Sequence, residues 1–181
     1  MGYLIFKSLF VVSILFAGTQ AFATPTKEQP DRNIQHYLLE SNNVGLKAMD
    51  PVSYYREGGG APLAGSSSIS VNYGGVTYLF ASTTNRDLFL SNPNKYEPTY
   101  GGWCAWAMAN RAYADIDPKL YSFSKLVDGN AVLTDENDPD ASRIHFFINR
   151  RAKASFDRRI STHEVNADDF WFVETQEAPR F

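Results

Sequence analysis

The most reactive side chain in this sequence is the thiol of Cys104, the only cysteine among 181 residues. It lies in the stretch PNKYEPTYGGWCAWAM, which runs from Pro93 to Met108. The Gly101–Gly102 pair before it permits a tight turn, and the alanines after it favour a helix. A helix that begins near Trp103 would place Cys104 in its first turn, where the positive end of the helix dipole favours a thiolate.

Three roles for Cys104 follow from this position. A thiol that no internal disulfide consumes could serve redox or sulfur-transfer chemistry, with a small molecule or a thiol of a partner protein as its substrate. Met108 falls four residues later on the same helical face, and thiolate and thioether sulfur together suit a metal ion such as Cu(I). Free cysteine is also among the most buried residue types, so a packing role within a non-catalytic interaction module is the third interpretation.

Side chains from the same stretch and from an earlier DPV turn could surround the thiol. We expect the pocket to be walled by Asp50, Tyr96, Tyr100, Trp103 and Trp106. No histidine, lysine or arginine lies between Pro98 and Asn110, so a base would have to come from Arg111, His145 or His163. Met49 and the two histidines are further candidate metal ligands.

Residues 1–23 have the pattern of a secretory signal peptide. Lys7 precedes an apolar run from Leu9 to Gly18, and Ala21-Phe22-Ala23 matches a cleavage site. The run is too short for a stable membrane span. We therefore expect a periplasmic or secreted protein, with a retained N-terminal anchor as the alternative. The net charge of −3 does not favour a nucleic-acid partner.

Two β-hairpins and several helices are predicted from local patterns. One hairpin covers residues 68–80 with Gly74–Gly75 at its turn, and the other covers residues 123–134 with Asp128–Gly129 at its turn. Helices are expected over residues 84–92, from Trp103, and in a long segment after Asp138. That last segment carries one apolar stripe: Ile144, Phe147, Ile148, Ala152, Phe156 and Ile160. Residues 57–68 have the composition of a plain loop.

These elements predict a single α+β domain, in which several helices pack on a small antiparallel sheet built from both hairpins. Its expected organisation is a signal peptide at 1–23, a polar N-terminal segment at 24–43, a domain at 44–172 that includes a helical C-terminal extension, and a tail at 173–181. Aromatic residues are expected to form the core: Tyr73, Tyr78, Phe80, Phe89, Tyr96, Trp103 and Trp106.

Three motifs occur in a fixed order: DPV from Asp50, YGGVTYLF from Tyr73 and NPNKY from Asn92. In these motifs the chain resembles the YHS domain, a small module met in copper-transporting ATPases and heavy-metal handling proteins. The downstream GGWCAWAMA, LVDG and ADDFW are similar to a longer exported subgroup. Some members of that subgroup carry selenocysteine at the position of Cys104, so the resemblance implies redox or soft-metal chemistry there.

The chain departs from the metal-handling YHS module at its thiolate positions. That module places cysteines directly after DPV, directly after the strand phenylalanine, and four residues further on. This chain has Ser53, Ala81 and Asn85 at those positions. None is a soft ligand, so any metal site would depend on Cys104 and its neighbours.

Overall fold

The computed structural model describes residues 32–178. The predicted signal peptide and its cleavage site therefore lie outside the described residues. Within the described range, seven strands form two small sheets, and five α-helices belong to the same domain. This confirms the predicted α+β class. No helix between residues 32 and 178 is long and apolar enough to cross a membrane.

The first sheet contains the first predicted hairpin. Its strands are β1 (Leu39–Glu40), β2 (Val44–Gly45), β3 (Ser66–Tyr73) and β4 (Val76–Phe80), in the order β1-β2-β4-β3. All its pairings are antiparallel except that of β2 with β4. The helices α1 (Thr83–Ser91) and α2 (Pro93–Tyr96) follow, and the Ser82 side chain caps α1 by accepting a bond from the Asn85 N–H.

The second sheet contains the second predicted hairpin. Its strands are β5 (Asp117–Val127), β6 (Asn130–Thr134) and β7 (Arg143–Phe147), in the antiparallel order β6-β5-β7. The two hairpins thus belong to separate sheets, whereas the sequence analysis placed them in one. Local patterns identify a hairpin, but they carry no information on which strand its outer edge will meet.

The predicted long helix after Asp138 is wrong in its first part. Residues 143–147 form β7, in which all five residues are buried. A short apolar segment that is buried on both faces has no period-2 alternation, so its spacing also fits a helical stripe. The helical part divides into α4 (Arg150–Asp157), capped by the Asn149 side chain, and α5 (Ile160–Thr175).

The helix that follows Cys104 begins later than predicted. Residues Thr99–Gly102 form a 3-10 turn with positive φ at Tyr100, Gly101 and Gly102, and α3 covers only Ala105–Ala109. Cys104 is therefore the extended N-cap residue rather than part of the first turn. One smaller prediction also changes, because β3 begins at Ser66 and so the loop at 57–68 ends early. Within the polar N-terminal segment, Ile34–His36 form a 3-10 turn.

The core lies between the two sheets and the helices that cover them. Of the aromatic residues predicted there, Tyr73, Tyr78, Phe80, Phe89 and Tyr96 are buried, as expected. Trp103 and Trp106 are only partly buried and pack against the core from its edge. Trp171 of α5 takes a central place, since its ring contacts the rings of Tyr37 and Tyr100.

Candidate functional site

Cys104 lies in the interior between α3 and β7, and none of its surface is exposed to solvent. Its backbone N–H donates to the Ala114 carbonyl oxygen at 3.0 Å, and it forms an isolated parallel bridge with Phe146. Its carbonyl oxygen accepts from the Met108 N–H at 3.0 Å, and Met108 is also fully buried. Three surface cavities of about 190, 210 and 520 Å³ are lined by other residues. The thiol is enclosed by protein.

An N-terminal strap, which we define as residues 32–38, crosses the Gly101–Trp103 stretch just before the cysteine. The Leu38 N–H donates to the Gly101 carbonyl oxygen at 3.0 Å, and the Trp103 indole N–H donates to the His36 carbonyl oxygen at 2.7 Å. Gly101 has φ +59°, and a Cβ there would lie 2.8 Å from the Trp171 ring and 2.9 Å from the Tyr37 ring. Only glycine therefore lets the strap approach this closely.

Glu177, beyond the end of α5, holds the strap in place. It accepts from the Asn33 backbone N–H at 2.8 Å and from the Tyr37 hydroxyl at 2.6 Å. The Arg32 guanidinium lies 3.7 Å from the same carboxylate and 2.5 Å from Glu97. Charged and neutral hydrogen bonds thus connect the strap to the C-terminal end of the described chain.

Asp50, which we expected near the thiol, is buried with its carboxylate fully engaged elsewhere. One oxygen accepts from the N–H groups of Val52 at 2.9 Å and Ser53 at 3.3 Å. The other accepts from the Ala81 N–H at 2.9 Å and the Asn85 amide at 2.6 Å. Positions 53, 81 and 85, where the metal-handling YHS module has cysteines, therefore meet around one carboxylate.

Tyr96 and Trp106 make their contacts with different parts of the chain. The Tyr96 hydroxyl donates to Glu57 at 2.8 Å, whereas the Trp106 ring meets the His163 ring edge-on at a centroid distance of 5.0 Å. His163 Nδ1 lies 2.9 Å from the Phe156 carbonyl oxygen. The contacts of Asp50, Tyr96 and Trp106 thus do not converge on a common pocket.

Tyr100 belongs to a buried charge network, which we define as Tyr100, Arg143, His145, Glu164 and Asp168. The Tyr100 hydroxyl donates to Asp168 at 3.0 Å. Arg143 donates to Glu164 at 2.8 Å and to Asp168 at 2.5 Å, and His145 Nε2 lies 2.8 Å from Glu164. The network connects the turn before Cys104 to β7 and α5.

Burial and charge shift the pKa values in this network in opposite directions. Burial alone raises the pKa of Glu164, but the charges and hydrogen bonds of His145 and Arg143 outweigh it and lower this pKa to about 2. Burial also lowers the pKa of Arg143, yet Tyr100, Asp168 and Glu164 together raise it above its ordinary value. For Tyr100, burial is the main cause of a pKa well above the ordinary range. The central ion pair is therefore kept charged.

Ser124, His145 and Glu164 are the residue types of a nucleophile–base–acid triad. In such a triad the serine and the acid contact opposite ring nitrogens. Here Ser124 Oγ and Glu164 Oε1 both approach Nε2, at 3.0 and 2.8 Å, while Thr99 Oγ1 lies 3.1 Å from Nδ1. Ser124 and His145 are also completely buried. This arrangement cross-links elements and offers no nucleophile to a substrate.

A second polar cluster, which the sequence analysis missed, joins α4 to β5. Lys153 Nζ lies 2.6 Å from Asp157 Oδ2 and 2.5 Å from Ser122 Oγ, and the Ser122 hydroxyl donates to Asp157 Oδ1 at 2.7 Å. The cluster borders the cavity of about 210 Å³. The i, i+4 spacing of Lys153 and Asp157 was its only signal in the sequence. The Ser122 proton is already donated to Asp157 within this closed ring of hydrogen bonds. The cluster therefore holds α4 against β5.

The predicted metal ligands do not assemble into a site. Met49 forms a bridge with Ala64, and the candidate ligands His145 and His163 contact Glu164 and the Phe156 carbonyl oxygen. Arg111, which was a candidate base, pairs with Asp169 at the surface. Across residues 32–178, no group of three or more histidine, cysteine, aspartate or glutamate side chains is placed to hold a metal ion.

Comparison of the chain with models of protein families, with curated proteins and with solved structures gives no match.

Proposed function

We propose that this chain is an exported, periplasmic or secreted YHS-like interaction module in which Cys104 is a core residue. The observation that carries the proposal is the complete burial of Cys104. A cysteine nucleophile has to be reached by its substrate, and reactive cysteines are at least partly exposed. The strap is hydrogen-bonded across the turn that precedes the thiol.

Copper binding at Cys104 is less well supported than packing. Met108 supplies a second buried sulfur, but the positions that carry thiolates in the metal-handling module are here part of the hydrogen-bonded surroundings of Asp50. A soft metal ion prefers several sulfur ligands, and this chain supplies only one thiol. The redox and sulfur-transfer hypothesis has the same difficulty, because its thiol would have to leave the core to react.

The YHS assignment is supported by the way three segments fold together, two of which carry or follow the DPV and YGGVTYLF motifs. The DPV turn, the end of β4 and the first turn of α1 meet at Asp50. These are the segments that would carry the three thiolates of the metal-handling module. We propose that the same architecture is kept here, with a carboxylate and its donors in place of a metal site.

Alkylation of Cys104 tests the proposal. In the native protein we expect no labelling by N-ethylmaleimide from pH 6 to 9 in the time that labels a free thiol completely, because the sulfur is enclosed. In denaturant, we expect one label per chain. The matched control is Ser68→Cys, which adds a thiol on an exposed position of β3 and should label at once.

Rapid labelling of native Cys104 would overturn the packing role and restore the reactive-thiol hypothesis. Copper that co-purifies with the wild type at one ion per chain, and is lost in Cys104→Ala, would restore the metal hypothesis instead. The Cys104→Ala variant retains the small apolar character of the site, so circular dichroism should show that it folds.

A further inference from the structure

The outward face of α5 carries large apolar side chains that nothing in the described chain covers. Val165 is 65% exposed, Phe172 47% and Val173 51%. Isolated exposed apolar residues are common, but these three lie on one side of one helix. The opposite face of α5 is buried against the core through Ala167 and Trp171. The outward face of α5 is therefore partly apolar, with Val165, Phe172 and Val173 placed around the polar residues Asn166 and Asp169.

The exposed positions are arranged symmetrically about Asp169. Val165 and Val173 lie four residues before and after it, and Asn166 and Phe172 lie three residues before and after it. A two-fold axis through Asp169 therefore places Val165 of one copy against Val173 of a second, antiparallel copy. Phe172 of each copy then lies over Asn166 and Val165 of the other. A two-fold dimer requires a self-complementary surface of this kind.

The charges on this face also fit a second copy. Arg111 lies 2.9 Å from Asp169, and both side chains are 59% exposed. A two-fold axis brings two such pairs together, so that four charges of alternating sign surround the centre and their sum is zero. A lone aspartate at the axis would repel its symmetry mate, and Arg111 removes that repulsion. Because the face is neutral overall, it offers no electrostatic attraction to an anionic membrane.

The segment that would precede the strap after the predicted cleavage does not fit this face. Residues 24–31, which would precede the strap after the predicted cleavage, read TPTKEQPD and contain no large apolar side chain. They cannot bury Phe172 or the two valines.

We infer that the module pairs with a second copy of itself through α5, antiparallel and centred on Asp169. The inference rests on the proposed interaction-module function and names the partner. Light scattering on the purified chain should give twice the mass of one chain, in a concentration-dependent manner. Phe172→Asp should weaken the association by at least about tenfold, as expected for an aromatic residue near the centre of an interface. Leu90→Asp, which changes an equally exposed apolar residue on α1, should leave the association unchanged.

Disulfide cross-linking tests the geometry. In the Val165→Cys/Val173→Cys double variant, each new thiol faces the other one across the axis, so mild oxidation should give a covalent dimer. Each single variant should give little, because like positions lie eight residues apart along antiparallel helices, or about 12 Å, beyond the reach of a disulfide. Wild type, whose Cys104 is buried, is the control for cross-links through the native thiol.

Three results would overturn the inference: a monomeric mass at every concentration, a dimer that Phe172→Asp does not weaken, or a dimer that the double variant does not cross-link. Phe172-dependent binding of a monomeric chain to phosphatidylglycerol vesicles would assign the face to a membrane surface instead. If the chain is monomeric and native Cys104 is not alkylated, the dimer inference fails while the proposed function stands. A reactive Cys104 overturns that function whatever the mass.

Discussion

At the scale of single residues, the buried carboxylate of Asp50 connects three segments of the chain. Its two oxygens accept four N–H groups, which come from the turn itself, from the residue after β4 and from α1. A buried charge is tolerated only where hydrogen bonds of this kind replace its hydration. The carboxylate is thus a structural ligand for three segments of backbone and side chain.

Asp50→Asn should destabilise the protein although it preserves the size of the side chain. An amide nitrogen in place of Oδ2 would face two donors, the Ala81 N–H and the Asn85 amide, and leave them without an acceptor. We expect a loss of about 1–3 kcal/mol in the free energy of unfolding, measured by chemical denaturation. Asp87→Asn, at an exposed position of α1, is the control and should change stability little. Equal losses in both variants would contradict this role for Asp50.

The sequence singled out Asp50 and Cys104 as candidate site residues, but it could not show that both have structural roles in the interior. Both residues are fully buried, and burial depends on contacts between segments far apart in the chain. The burial of Arg143 and Glu164 is harder still to predict from the sequence, since charged residues are almost always exposed unless they are paired. Their pairing spans 21 residues and joins a strand to a helix, so no local pattern announces it.

At the scale of elements, the contact between the strap and the turn before α3 depends on the missing side chain of Gly101. Gly101→Ala should be more damaging than Gly129→Ala, although both glycines have positive φ. At Gly129 a Cβ meets nothing within 4 Å, so only the cost of the backbone conformation applies, about 1–2 kcal/mol. At Gly101 a Cβ would collide with the Trp171 and Tyr37 rings.

We expect this overpacking to add roughly 1–3 kcal/mol at Gly101. Thermal unfolding of the two variants measures the difference directly. Because both substitutions place an alanine at positive φ, the difference between them reports mainly the collision with the Tyr37 and Trp171 rings. Equal melting temperatures would show that the strap moves aside without loss, and the close approach would then have no energetic importance.

Hairpins and short capped helices were predicted well because their signals are local. Gly74–Gly75 and Asp128–Gly129 both form the expected turns, and the Ser82 side chain caps α1. The strand β7 was missed because its segment is buried on both faces and so lacks alternation. The start of α3 was missed because Cys104 is held extended by its bridge to Phe146, which is a tertiary contact.

At the scale of the whole molecule, the charge network makes stability depend on pH. The pKa of Glu164 falls from an ordinary value near 4.5 to about 2 on folding. The unfolded chain therefore binds more protons than the folded chain in this interval, and stability falls as pH is lowered from about 4.5 to about 2. The contribution is on the order of 3 kcal/mol and is fully present above that interval.

Glu164→Gln should reduce the loss of stability between about pH 4.5 and 2, which we call the acid limb, because the titrating carboxyl group is gone. It should also lower stability at neutral pH, because Arg143 and His145 lose a charged partner. Unfolding by urea at a series of pH values measures both effects. Glu40→Gln, at an exposed position of β1, should leave the acid limb as in the wild type. An unchanged acid limb in Glu164→Gln would assign the pH dependence to other carboxylates.

The contacts of Glu177 also determine the order in which the molecule can be completed. Its partners Asn33 and Tyr37 lie 144 and 140 residues earlier in the chain. The ribosome releases the strap well before Glu177, so these two contacts cannot form until about 140 further residues have been added. Pairings between such distant residues are formed slowly because a long loop has to close. Until Glu177 is added, the strap is held over the turn before Cys104 only by its own hydrogen bonds to Gly101 and Trp103.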